Sequence, residues 1–316
     1  MPDALNPAAW PLLTLMLLAP LAGSLLIWLV PGPRLSRWVV PASLLVALGF
    51  ALAVLWRFDP AQAGFQGMEE RDWIPSLNIR YLVGIDGISV LFPPLTLILF
   101  LGVALANWTG VRTLRRLHDS LLLLLASAIL GIFCALDLML FYLYWELTLL
   151  PLYFLISLWG PGPQRRYAAA KYSLFMLAGG VPLLFGFIQL AFNHAAVSGA
   201  GLPAGLSWDY RQLLATPLEP GLETSVFLLL FVGFAVKTPV FPLHTWLPVV
   251  AMEGPAGVAA LITGLKVGAY GLIRFALPLA PGAAQDFHWL LAGLGTLGLV
   301  YGALAALAQT NLRRLL

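Results

Sequence analysis

Long apolar stretches recur along nearly the whole chain, and they constrain its fold more than any other feature of the sequence. Each runs for about 20 residues, which is the length that a helix needs to cross the hydrocarbon core of a bilayer. Hydrophobic residues make up 60% of the 316 residues and charged residues only 10%, whereas a soluble domain carries about 25% charge. We therefore interpret the chain as an all-α polytopic membrane protein.

The apolar pattern predicts nine transmembrane helices. Their expected ranges are Trp10–Val30, Trp38–Trp56, Ile88–Trp108, Leu121–Leu136, Leu138–Leu158, Ala168–Phe192, Ser225–Trp246, Pro255–Leu277 and Trp289–Ala308. The longest connections, at about residues 57–87 and 193–224, contain glycine and proline, and we expect them to fold over the outer surface.

Basic residues collect in the loops that follow the odd-numbered spans. They are Arg34, Arg37, Arg112, Arg115, Arg116, Arg165, Arg166, Arg313 and Arg314. The even-numbered loops are acidic by comparison, with Asp59, Glu69, Glu70, Asp72, Asp209, Glu219 and Glu223. Because cytoplasmic loops carry the excess of Lys and Arg, this alternation predicts an N-terminus on the outer side of the membrane.

Three ionisable residues, Glu146, Lys237 and Lys266, fall near the middle of predicted spans. A charge at bilayer depth is unfavourable by roughly 2.5–3.5 kcal/mol or more, so such residues usually mark an ion pathway. One acid and two bases can form a network whose protonation depends on which partners are engaged. The alternative is a static buried ion pair that fixes helix packing, although such pairs stabilise a fold poorly.

Two prolines, Pro239 and Pro242, follow Lys237 within five residues. Proline lacks an N–H and clashes with the preceding turn, so the sequence predicts a broken helix near Lys237. His244 follows the break and has a side chain suited to relaying protons. It could equally hydrogen-bond the backbone groups that the prolines free, and Thr238 or Thr245 could do the same.

The sequence offers no evident cofactor site. The single cysteine, Cys134, excludes a cysteine-based metal centre and is expected to be a packed thiol. His118, His194 and His288 are predicted in or near loops, with no spacing that indicates a metal site. No phosphate-binding glycine loop is present, and the net charge of +3 gives no indication of nucleic-acid binding.

Five stretches resemble the antiporter-like subunits of respiratory complex I, the proton-pumping NADH:quinone oxidoreductase. They are Tyr81–Val90, Tyr144–Leu155, Phe234–Pro248, Leu265–Phe275 and Gln309–Leu315, in the order found in that family. Within the first, Gly-Ile-Asp-Gly-Ile-Ser at residues 84–89 is typical of subunit M (chain 4). The glutamate and lysine motifs are shared with cation/proton antiporters.

The resemblance implies a fold of about 14 transmembrane helices with two inverted five-helix repeats. Residues 1–117 would then form helices 1–3, residues 118–278 the first repeat, and residues 279–316 the start of a second repeat that we expect to be truncated. In this family Glu146 would pair with Lys237, Lys266 would be the central lysine of the eighth helix, and His244 would follow the break. All four residues would take part in proton translocation.

The resemblance also implies an enzyme subunit without a redox centre of its own. NADH, FMN, the iron–sulfur clusters and quinone would be bound by partner subunits. The partners of this chain would be other membrane-arm subunits of complex I, including neighbouring antiporter-like subunits, in a bacterial inner membrane. The chain departs from the family after Pro248, where an Asp-Ala-His sequence is replaced and only Glu253 lies nearby. A membrane subunit of an Mrp-type cation/proton antiporter or of a membrane-bound hydrogenase is the alternative.

Overall fold

A computed structural model describes residues 11–311, apart from the side chains of residues 33 and 34. Trp10, Arg313 and Arg314 lie outside the described residues, as does the side chain of Arg34. The chain divides into two compact units, Met1–Leu152 and Tyr153–Leu316. Each unit is built almost entirely from apolar helices.

The first part of the chain contains six helices and one hairpin. In order they are α1 (Leu12–Leu29), α2 (Pro33–Arg57), β1 (Gln66–Ile74), β2 (Ile79–Ile85), α3 (Phe92–Ala106), α4 (Arg115–Cys134), α5 (Leu138–Leu147) and α6 (Leu149–Trp159). Helix α4 is the most enclosed of them, because most of its residues from Leu121 to Cys134 are buried. Cys134 is among these buried residues, as the sequence predicts.

The second part contains the long helix α7 and a series of shorter segments. They are α7 (Arg165–Ser198), α8 (Tyr210–Leu214), α9 (Pro220–Lys237), α10 (Trp246–Glu253), α11 (Ala256–Leu265), α12 (Val267–Gly271), a π-helical turn (Leu272–Ala276), α13 (Leu277–Leu279), α14 (Pro281–Asp286) and α15 (His288–Leu307). Small residues let α7 and α9 approach closely, since a Cβ on Gly233 would lie 2.9 Å from the carbonyl oxygen of Gly179.

Eight helical segments between residues 11 and 311 are long and apolar enough to cross a membrane. They correspond to eight of the nine predicted spans, with boundaries that shift by several residues. The remaining predicted span, Ile88–Trp108, forms the 15-residue helix α3. The surface agrees with a lipid environment, because large apolar side chains such as Leu299 and Leu307 are 74% and 84% exposed. The chain is a multi-pass membrane protein.

The connection between α2 and α3 forms an antiparallel hairpin of β1 and β2. Glu69 on β1 accepts hydrogen bonds from the backbone N–H groups of Leu13 (2.8 Å) and Thr14 (3.0 Å). These are free N–H groups at the start of α1, where the helix dipole favours a negative charge. The hairpin is therefore attached to the N-terminal end of the first helix.

Two further glutamates hold helix starts in the second unit. Glu253, the last residue of α10, accepts a hydrogen bond of 2.7 Å from the N–H of Gln164, just before α7. Glu223 in α9 accepts one of 2.6 Å from the N–H of Gly282 in α14. Each contact joins two segments that the predicted alternation of spans places at the same side of the membrane. Which side is outside stays a prediction.

Candidate functional site

The helix that carries Lys237 is interrupted at that residue. Helix α9 ends at Lys237, and helical structure resumes only at Trp246, the first residue of α10. The intervening turns contain Pro239 and Pro242, so the break expected from the two prolines is confirmed. Lys237 therefore occupies the C-terminal end of a helix, where the partial negative charge of the backbone stabilises an ammonium group.

The last carbonyl groups of α9 find donors from beyond the helix. Thr238 Oγ1 donates to Phe234 (2.7 Å), the N–H of Val240 donates to Ala235 (3.0 Å), and Trp246 Nε1 donates to Val236 (2.9 Å). The Phe234 carbonyl also accepts the N–H of Thr238 (2.9 Å), so the Thr238 hydroxyl is a second donor to it, and a role of Thr238 towards the groups freed by the prolines stays a prediction. Trp246 was not predicted in that role, although a buried indole generally needs an acceptor.

His244 lies in the unwound segment between two aromatic rings. Its ring centroid is 5.5 Å from that of Phe241 and 5.3 Å from that of Tyr301 on α15. Its Nδ1 atom is buried and, within the described part of the chain, has no hydrogen-bond partner. The structure thus shows no hydrogen bond from His244 to the backbone freed by the prolines, and the imidazole keeps a nitrogen available for a proton or a water molecule.

Lys266 marks a second interruption. It separates α11 from α12 and has φ 47° and ψ 37°, a left-handed conformation that a residue with a Cβ rarely adopts. The sequence did not predict this break, because neither proline nor a turn motif accompanies Lys266. Lys237 and Lys266 therefore both occupy points where helical structure is interrupted.

Gly268 brings the two interrupted segments together. A Cβ built on Gly268 would lie 2.7 Å from the carbonyl carbon of Lys237 and closer still to the N–H nitrogen of Thr238. Only a residue without a side chain permits this approach of α12 to the break after α9. The backbones around Lys237 and Lys266 are thus adjacent in the second unit.

Glu146 belongs to the first unit, near the C-terminal end of α5. Its Oε1 atom is buried, and the hydroxyl of Tyr142, one turn earlier, contacts its carboxylate. Trp145 beside it is also buried. A carboxylate in such apolar surroundings depends strongly on neighbouring charges and hydrogen bonds for its ionisation.

Sequence reasoning missed a buried arginine. Arg274, in the π-helical turn that follows α12, is 4% exposed. Its Nε donates to the Tyr270 hydroxyl at 3.3 Å, and its guanidinium lies 5.9 Å from the centre of the Tyr210 ring. The sequence signal that could have indicated its burial is its position only eight residues after Lys266, within the same apolar span. It lies three residues before the C-terminal boundary of the predicted span Pro255–Leu277.

The region with the two interrupted helices matches a known protein family. The family described as NADH:quinone oxidoreductase/Mrp antiporter, TM, matches residues 135–316, a region that contains Glu146, both breaks and all of α15. The chain belongs to this family. Within it, the chain is 34% identical to NADH-quinone oxidoreductase subunit M of Escherichia coli (strain K12), over 96% of its own length and 62% of that protein.

Solved structures show the same fold as this chain. It matches a chain of respiratory complex I from Thermus thermophilus with TM-score 0.83 and 31% identity, over 96% of this chain and 61% of that chain. It shares its fold with a chain of the Mrp complex from Dietzia sp. DQ12-45-1b, with TM-score 0.79 and 23% identity, over 96% of this chain and 32% of that one. The chain thus spans less than two thirds of these relatives.

Proposed function

We propose that the chain is a proton-translocating membrane-arm subunit of an NADH:quinone oxidoreductase, respiratory complex I. The observation that carries the proposal is the meeting of two interrupted helices at Gly268, with Lys237 at the end of one and Lys266 at the break in the other. Unwound backbone within a membrane is tolerated only where protein buries it or water reaches it. Lysines at such points are suited to exchanging protons through water.

In the mechanism that we propose, Glu146 acts as the counter-ion of Lys237. While the two are paired, both keep their charged forms, because each offsets the cost of burying the other. When the pairing is weakened, the Lys237 ammonium loses its counter-ion and releases a proton towards Lys266. His244, with its unbonded Nδ1, would accept or pass on a proton beside the break. No electron moves through this chain.

The energy for this cycle would come from partner subunits. We place NADH, FMN, the iron–sulfur clusters and quinone in those subunits, and neighbouring antiporter-like subunits beside this chain in the membrane arm. The proposed location is a bacterial inner membrane, with the N-terminus outside. Residues 118–278 would be the first five-helix repeat, after helices 1–3 in residues 1–117 and before the start of the second repeat in residues 279–316.

The test compares Glu146→Gln with the wild type in membrane vesicles that carry the full-length protein. Glu219→Gln is the matched control, because Glu219 is exposed and its side chain makes no cap at the start of α9. We expect Glu146→Gln to abolish NADH-driven proton uptake and to slow quinone reduction, with the complex still assembled on a native gel. Rates equal to those of Glu219→Gln would refute the mechanism.

The Mrp-type antiporter is the alternative function, and a membrane-bound hydrogenase subunit is related to it. The higher identity to the Escherichia coli and Thermus chains, 34% and 31% against 23% for the Mrp chain, favours complex I. Proton exchange driven by a sodium or potassium gradient, without NADH, would favour the antiporter. Co-purification with subunits that react with NADH and quinone would favour complex I.

A further inference from the structure

A polar recess lies where α2, α3 and α4 come together in the first unit. It is a shallow surface depression with about 220 Å³ of empty space in and above it, part of which is open to the surroundings. Its polar lining consists of Arg37, Asn107, Trp108, Arg115, His118 and Asp119. His118, predicted in or near a loop, is in fact only 2% exposed within the first turn of α4.

Most of the charged side chains in this recess already pair with one another. Arg115 donates from Nη1 to the carbonyl oxygen of Trp108 (2.7 Å), in the loop just after α3. It also donates from Nε to Asp119 (3.1 Å). The other Asp119 oxygen lies 3.0 Å from Nδ1 of His118. Arg115 and Asp119 therefore neutralise each other, and the Asp119 carboxylate has no oxygen left over.

Arg37 is the charge that remains. It lies near the start of α2, and its Nε is buried with no hydrogen-bond partner among the described residues. A buried donor without an acceptor is unfavourable, and an arginine is always protonated. The recess therefore carries a net positive charge from the half-buried Arg37 side chain, and the planar guanidinium matches the oxygens of a phosphate group.

The surroundings of Arg37 belong to the edge of a membrane. Trp38 and Trp108 pack edge to face with ring centroids 4.9 Å apart, and tryptophan is enriched at the level of lipid headgroups. Trp38, Leu45 and Leu52 are all exposed and follow one another at seven-residue spacing along α2. Seven residues make close to two helical turns, so these side chains form one apolar face that runs from the recess along the helix.

We propose that this recess binds the phosphate headgroup of an anionic phospholipid, held by Arg37, with an acyl chain along the face of Trp38, Leu45 and Leu52. The positive charge selects an anionic headgroup over a zwitterionic one. Basic pockets between membrane helices bind anionic headgroups by this chemistry. The apolar face favours a lipid over a free phosphate ion, because only a lipid has an acyl chain that can pack against this face.

The experiment uses the full-length protein in nanodiscs that contain phosphatidylglycerol and phosphatidylcholine in equal amounts. Native mass spectrometry counts the lipids that the protein retains. We expect the wild type to retain phosphatidylglycerol selectively and Arg37→Gln to lower that retention about fivefold, from the weight of one basic residue at a membrane surface. Arg57→Gln is the matched control, because Arg57 is exposed at the opposite end of α2.

Four results would overturn the proposal. Equal loss in Arg37→Gln and Arg57→Gln would mean that the recess makes no specific contribution. Displacement of the lipid by inorganic phosphate alone would mean that the site takes a free anion. Reduced thermal stability of Arg37→Gln in pure phosphatidylcholine nanodiscs, or loss of partner subunits with lipid retention unchanged, would assign Arg37 to internal packing or to a protein carboxylate.

Discussion

The indole N–H of Trp246 donates to the carbonyl oxygen of Val236 at 2.9 Å, so the first residue of α10 closes the last turn of α9 across the break. Trp246 is fully buried and packs edge to face against Tyr172 of α7, with ring centroids 5.4 Å apart. The interruption at Lys237 is therefore held by side chains on both sides of it. It is a fixed part of the fold.

Replacing Trp246 with phenylalanine keeps a ring against Tyr172 but removes the donor to Val236. A buried carbonyl left without its donor costs about 1–3 kcal/mol. We expect the free energy of unfolding in detergent to fall by that amount, measured by chemical denaturation. Trp289→Phe is the control, because Trp289 is 62% exposed. Equal effects of the two substitutions would contradict the proposed role of Trp246.

Alanine at Gly268 would place a methyl group against the backbone of Lys237 and Thr238. Overpacking of a close contact usually costs about 1–3 kcal/mol, and here it would also separate the two interrupted helices. We expect Gly268→Ala to lower NADH-driven proton uptake more than it lowers the amount of assembled complex. In Gly293→Ala the added methyl group meets no atom within 4 Å, so proton uptake should be unchanged. Normal uptake in Gly268→Ala would show that the close approach is not needed.

Alkaline pH should act on Tyr81 in the hairpin. Burial raises the pKa of the Tyr81 phenol above its ordinary value, although its hydrogen bond to Thr14 opposes this effect. The unfolded chain ionises tyrosine near pH 10, so this group contributes stability below about pH 10 and loses it as the pH rises further. Tyr81→Phe should therefore lose less stability than the wild type between about pH 9 and 11. Thermal unfolding measured across this range tests the expectation, with the exposed Tyr167→Phe as control.

The predicted orientation can be tested with single cysteines in a Cys134→Ser background, since Cys134 is the only cysteine. Ala63 and Arg112 are exposed and lie in the loops after the second and third spans. A thiol reagent that cannot cross membranes should label Ala63→Cys in intact cells and Arg112→Cys only after permeabilisation. The reverse pattern would invert the proposed topology.

Local sequence was sufficient to predict the helices and the first break. About 20 apolar residues in succession leave a chain few alternatives in a bilayer, and two prolines after Lys237 strongly disfavour a continuous helix there. The interruption at Lys266 could not be predicted in this way. It depends on the close packing of Gly268 against α9, which is a contact between segments about 30 residues apart in the sequence.

The burial of polar residues near the ends of spans was the other feature that the sequence did not predict. His118 and Arg274 both resemble interfacial residues in a linear reading, because each lies near a predicted boundary. The structure buries His118 against Asp119 and Arg274 between tyrosine rings. The hairpin was missed for a similar reason, since Ile79–Ile85 is apolar and short and was grouped with a loop. Tertiary contacts decide such cases, and composition alone cannot supply them.

Helix α10 is attached at both of its ends. Trp246 joins its first residue to the end of α9, and Glu253 joins its last residue to the start of α7. Helix α7 has 34 residues, so it extends for about 50 Å. A displacement at the Lys237 break would therefore reach the residue before α7 through α10, and a change of charge at the break would act on the start of a helix that is longer than the bilayer is thick.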